Sequence, residues 1–111
     1  MKEKVLEIAS KYFNYNLTSF NKYNIYYDEY VSTEIPGWVF IRLYDDKCYI
    51  INALYYNESQ NRIFTATSDV TNYMLFYNTQ LDEIEKYLME LNTEVKKLKI
   101  KMELDKITKD F

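Results

Sequence analysis

Between residues 81 and 102 the stretch LDEIEKYLMELNTEVKKLKIKM places an apolar side chain at Leu81, Ile84, Leu88, Leu91, Val95, Leu98 and Met102, in alternating steps of three and four. That spacing keeps every apolar group on one stripe of an α-helix, and no glycine or proline interrupts the chain from 80 to 111. The pattern predicts a helix over 80–110, about 45 Å long at ~1.5 Å per residue. A compact domain of this size has a radius of gyration near ~13 Å and a diameter of only about 30–35 Å. The helix is therefore expected to overhang its own domain, and a second copy of the chain is the simplest cover for the stripe.

The seven stripe residues are thus the expected dimerisation residues, with Leu81, Leu88, Val95 and Met102 at heptad position a and Ile84, Leu91 and Leu98 at d. Flanking charges favour an antiparallel homodimer, in which Glu94 meets Lys101 and Glu85 meets Lys106; a parallel pair sets Lys101 against Lys106. The alternative is a helix that packs along its own sheet without a dimer. Beyond the stripe, Ile100, Leu104, Ile107 and Phe111 move to a different face of the helix. Thr79 and Asp82 have the spacing of a capping box at its start.

The rest of the chain reads as a shorter helix and a set of strands. Val5, Ile8, Ala9, Tyr12 and Phe13 fall on one face, which predicts a helix over about 2–13. The following NYNLTSFNKYN is rich in turn formers and is expected to be a loop or irregular helical turn, pinned by Leu17 and Phe20. Strands are expected over about 24–31, in GWVFIRLY and KCYIINALYY on either side of Asp45-Asp46, and in RIFTATS. The Pro36-Gly37 pair marks a turn. YMLFY at 73–77 is either a further strand or the first turns of the long helix, since Val70, Met74 and Tyr77 extend the helical spacing backwards; the capping box at Thr79 and Asp82 favours the strand. The expected fold is a single α+β domain spanning 1–111, with an N-terminal helix, an antiparallel sheet of four or five strands and a long C-terminal amphipathic helix.

With Asp45 and Asp46 at the hairpin tip, Leu43 faces Cys48 and Ile41 faces Ile50. Side chains alternate across a strand, so Val39, Ile41, Leu43, Cys48, Ile50 and Leu54 form an aliphatic core side. The opposite side carries Trp38, Phe40, Arg42, Tyr44, Tyr49, Ile51 and Tyr55. A solvated sheet face is normally polar, so this side is either covered by another element or is a contact surface. Aromatic residues and arginine dominate binding hot spots, which makes Trp38, Phe40, Arg42, Tyr44, Tyr49 and Tyr55 the candidate partner-binding residues. Arg42 opposite Tyr49 reads as a cation–π pair.

Composition narrows the chemistry. The chain has no histidine, one cysteine and one glycine, which removes the usual general base, a Cys–His nucleophile, a Cys/His zinc site and a glycine-rich phosphate loop. No catalytic residue, metal or cofactor is expected, and an enzyme is not. A net charge of −3 and a pI near 5.0 argue against direct nucleic-acid binding. No apolar run reaches the ~20 residues of a membrane span, and the first residues lack a signal-peptide core. Lysine, asparagine, isoleucine and tyrosine abundance is the usage of an AT-rich genome, so the expected location is the cytoplasm of a bacterial host cell.

These features point to a non-enzymatic protein-binding protein: a small acidic inhibitor or modulator of a larger protein or nucleoprotein, of the anti-defence type that phages and mobile elements carry. The alternative is a small-molecule-binding domain with a pocket of Trp38, Phe40, Tyr49 and Tyr55 between sheet and helix.

Overall fold

The structure, a computed structural model, describes residues 2–17, 27–35, 37–65 and 73–109. Phe20, Pro36, Val70 and Phe111, and the ends of the strands expected to begin at 24 and to run through 68, lie outside the described residues. The architecture is α+β: an N-terminal helix, a five-stranded antiparallel sheet and a long C-terminal helix.

Helix α1 spans Lys2–Ala9 and is shorter than the periodicity predicts. Ser10 Oγ donates to the Glu7 carbonyl at 2.7 Å, and the N–H groups of Lys11 and Tyr12 donate three residues back, so the chain leaves in a tighter turn. Its apolar face is as expected, with Val5, Ile8, Ala9 and Phe13 buried. Strand β1, Tyr15–Leu17, takes the place of the first part of the expected loop, whose remainder lies outside the described residues, and pairs antiparallel with β2, Asp28–Ser32. A nonlocal contact overrides local turn propensity here: the Tyr15 ring meets Tyr30 edge-on at 5.3 Å, and its hydroxyl donates to the Leu6 carbonyl. Leu17 is 55% exposed and pins nothing.

Strands β3, Val39–Leu43, and β4, Lys47–Ile51, form the expected hairpin with Ile41 opposite Ile50, Arg42 opposite Tyr49 and Leu43 opposite Cys48. The chain then departs from the sheet. Leu54 N–H closes on the Asn52 carbonyl at 2.8 Å, and β5, Leu54–Asn57, pairs only with β6, Arg62–Thr65, as a separate two-stranded ribbon. Asn57 Oδ1 accepts from Gln60 N–H and Ser59 Oγ, and Asn61 adopts a left-handed φ of 52°, a conformation asparagine tolerates better than most residues. Strand β7, Tyr73–Tyr77, settles the ambiguity at 73–77: it pairs with β4 and closes the sheet order β1-β2-β3-β4-β7.

Helix α2 spans Leu81–Lys109. Gln80 rather than Thr79 forms its cap. The Gln80 carbonyl accepts the first helical bond from Ile84 N–H at 3.0 Å, while its own N–H donates to the Tyr77 carbonyl and its Oε1 accepts from Tyr77 N–H. Both helices cover one side of the sheet. Val5, Ile8, Ala9 and Phe13 of the N-terminal segment meet Ile41, Leu43, Cys48, Ile50 and Phe76 of the sheet and Ile84, Leu88, Leu91 and Val95 of α2 in one core.

That core takes in much of the apolar stripe expected to face a second copy. Ile84 and Leu88 are fully buried within their own chain, Leu91 and Val95 nearly so, and Leu81, Leu98 and Met102 are half-buried. Four of the seven stripe residues are thus covered by their own chain. The far half of α2 is braced by elements whose approach is invisible in local sequence: Lys99 Nζ lies 2.6 Å from Glu34 Oε2, Lys101 Nζ lies 3.2 Å from Glu58 Oε1 on the ribbon, and Met102 sits beside Ile35 and Ile63. Ile100, Leu104 and Ile107 remain exposed.

Candidate binding face

The side of the sheet away from the helices is built by strand alternation. Glu29 of β2, Arg42 of β3, Tyr49 of β4 and Leu75 of β7 are successive cross-strand partners and so share one face. Tyr44, Lys47, Tyr73 and Tyr77 fall on the same face by period two, joined by Tyr27 just before β2.

The side chains interlock in a continuous path. Arg42 Nε donates to Glu29 Oε2 at 2.9 Å, and the guanidinium lies over the Tyr27 ring at 5.5 Å rather than over Tyr49. Tyr27 contacts Tyr44 at 5.0 Å, Tyr44 contacts Tyr49 at 5.6 Å, and Tyr49 contacts Tyr73 at 5.1 Å, the last two edge-on as ring quadrupoles favour. Lys47 Nζ lies 5.2 Å from the Tyr44 ring centroid. Arg42, Tyr44, Tyr49 and Tyr73 line a shallow depression of about 290 Å³. Burial pushes the Tyr44 hydroxyl above its ordinary pKa, with Tyr49 and Tyr27 adding to the shift, so it stays a neutral donor. Toward the edge, Tyr73, Leu75 and Tyr77 are 41%, 46% and 60% exposed.

The six expected contact residues divide. Arg42, Tyr44 and Tyr49 lie on this face. Trp38 and Phe40 do not: they are 1% and 0% exposed, and both are core. The cause is an irregularity in the β2–β3 ladder, where the partner of β2 passes from Ile41 to Val39 and skips Phe40. Phe40 therefore turns to the same side as Ile41 and packs on Phe13, Tyr15 and Trp38. Trp38 meets Phe13 edge-on and donates its Nε1–H to the Ile51 carbonyl at 3.0 Å. Ile51, expected on the open side, is also buried. Tyr55 belongs to the ribbon, where it stacks on Phe64 at 5.6 Å. The residues that sequence reasoning missed are Tyr27, Glu29, Lys47, Tyr73, Leu75 and Tyr77. Continuing the hairpin's period-two alternation onto YMLFY would have found the last three.

Trp38, Phe40, Tyr49 and Tyr55 consequently share no pocket. A cleft of about 500 Å³ opens elsewhere, between Asn52 and Leu54 and the α2 residues Tyr87, Glu90, Leu91, Glu94 and Leu98. Cys48 is fully buried and its thiol is pushed up to about 12 by burial, so it remains protonated at neutral pH. Among the described residues no group of three or more Cys, Asp or Glu side chains is placed to hold a metal ion, and no helix is long and apolar enough to cross a membrane.

Comparison with protein-family models, with curated proteins and with solved structures finds no match to this chain. The surface chemistry alone carries the functional reading.

Proposed function

We propose that the chain is a non-enzymatic binding protein that docks on a larger protein or nucleoprotein through the tyrosine face of its sheet. One observation carries this reading: five tyrosines, an arginine and a leucine share an open sheet face, where a solvated sheet would carry short polar groups. Tyrosine supplies large contact area at low rotamer cost and keeps a hydroxyl for a partner's backbone, and arginine adds a planar donor. The fixed ring contacts hold these groups in place before binding, which reduces the ordering entropy that association costs. Net charge −3 and the exposed acids Asp82, Glu83, Glu90 and Glu94 on α2 suit an inhibitor or modulator of a basic partner, of the anti-defence kind carried by phages and mobile elements. The homodimer belongs to this proposal as a way to present two such faces.

The test is quantitative capture from a bacterial host lysate by the immobilised wild type, by Tyr49→Ala plus Tyr73→Ala, and by Glu90→Lys plus Glu94→Lys. The tyrosine variant should lose a partner that the wild type retains while keeping its thermal midpoint. Undiminished capture by the folded tyrosine variant sinks the assignment of this face. Loss with the charge-reversed variant alone moves the contact to α2.

A further inference from the structure

We propose that β7 is a self-pairing edge, through which two copies of this chain join antiparallel about a two-fold axis at Met74. β7 is the last strand in the sheet order, so one side of its backbone meets β4 and the other faces outward. Which groups face outward follows from the ladder. Asn78 N–H donates to the Asp46 carbonyl at 2.9 Å, which makes that couple hydrogen-bonded, and antiparallel couples alternate between bonded and non-bonded. Met74 and Phe76 therefore bond to β4. Tyr73, Leu75 and Tyr77 point their N–H and C=O groups away from it.

Tyr77 is already closed off, because Gln80 accepts from its N–H through Oε1 and donates to its carbonyl through the backbone. Among the described residues nothing bonds the outward groups of Tyr73 and Leu75. An edge of this kind templates pairing with another strand unless charge, proline or a bulge blunts it. YMLFY contains neither a charged residue nor a proline, and four of its five side chains are at least 41% exposed.

The Gln80 cap also selects the register. Pairing centred on Leu75 would set Tyr73 against the partner's Tyr77, whose groups are occupied. Pairing centred on Met74 sets Tyr73 against the partner's Leu75 and Leu75 against the partner's Tyr73, and its four hydrogen bonds satisfy every free group while displacing none. The same strand supplies both sides, which is what a two-fold contact requires of its surface and what a different partner would have to match by chance. On the open face each Tyr73 meets the partner's Leu75, an aromatic–aliphatic couple. Because the axis runs perpendicular to the sheet, the five strands of each copy merge into one sheet with both tyrosine faces on the same side. The contact does not depend on the docking partner proposed above.

Hydrogen exchange on the wild type, at low and high micromolar protein, tests this without a variant. The amides of Tyr73 and Leu75 should exchange more slowly at the higher concentration while that of Tyr77 is unchanged. In light scattering the wild type should be a dimer. Met74→Lys, which sets like charges together at the axis, and Leu75→Pro, which removes an N–H with no partner inside the chain, should both be monomers with wild-type circular dichroism. Exchange at Leu75 that ignores concentration, a wild-type monomer, or a dimer that survives Met74→Lys each overturns the proposal. A dimer lost only in Ile100→Asp plus Leu104→Asp places the contact on α2 instead.

Discussion

Arg42 and Glu29 face each other directly across β2 and β3, with Nε 2.9 Å from Oε2, and they differ in what surrounds them. The Glu29 side chain is 11% exposed and that of Arg42 27%, and Arg42 also lies over the Tyr27 ring. Removing Arg42 takes a charged hydrogen-bond donor from the more deeply buried carboxylate. Removing Glu29 leaves a guanidinium that keeps its aromatic contact and reaches water. Arg42→Ala should therefore cost more stability than Glu29→Ala, with each loss on the order of 1–3 kcal/mol. Urea unfolding of both variants checks the ordering, and equal or reversed losses would show that the pair is not anchored as described.

Trp38 was an expected contact residue and Tyr73 was not, and the structure places Trp38 in the core and Tyr73 on the open face. Trp38 fills the core beside Phe13 and Phe40, so Trp38→Ala should cost about 3–5 kcal/mol. Tyr73 is 41% exposed, and Tyr73→Ala should change stability by less than about 1 kcal/mol. Thermal midpoints at one protein concentration separate the two.

What the sequence made legible was local or periodic. The Asp45-Asp46 tip fixed the β3–β4 register, since one turn and two alternating runs admit few pairings, and the apolar stripe located α2 to within a residue or two at each end. What it hid was nonlocal. The skipped residue at Phe40 depends on how β2 lies beside β3, β1 exists because β2 offers it an edge, and the ribbon reaches α2 through Glu58 and Lys101, far apart in the chain. The tyrosine face was half legible for the same reason: Arg42, Tyr44 and Tyr49 follow from alternation inside one hairpin, whereas Tyr27 and Tyr73 join it only through strand order.

Asn78 is a nearly fully buried polar residue that no motif announces. Its Nδ2 donates to the carbonyls of Tyr44 at 2.9 Å and Asp45 at 3.1 Å, tying the β3–β4 tip to the junction between β7 and α2. Asn78→Ala strips two partly buried carbonyls of that donor and should destabilise by about 1–3 kcal/mol at most per group left unsatisfied, less wherever water enters. Native-state hydrogen exchange should show the loss first at the tip, around 44–47. Uniform weakening across the domain would mean that the clamp has no local role.

Alkaline pH probes the core through Cys48. Its thiol ionises near 9.0 when free and is pushed up to about 12 by burial. Between those values the folded chain keeps a proton that the unfolded chain has lost, so stability falls as pH rises above 9, by at most about 1.4 kcal/mol per pH unit from this group. Burial, with Asp105 beside the hydroxyl, pushes Tyr56 up to about 12, which adds a loss of the same sign above pH 10. The wild-type urea midpoint should fall between pH 9 and 10, where the unfolded thiol is largely ionised and tyrosine ionisation in the unfolded chain is still incomplete. Cys48→Ala, less stable at pH 7 because it leaves a small cavity, should decline less steeply over that interval, with only the tyrosines contributing. Parallel curves for the two proteins would show that the thiol is not shielded as its position on β4 implies.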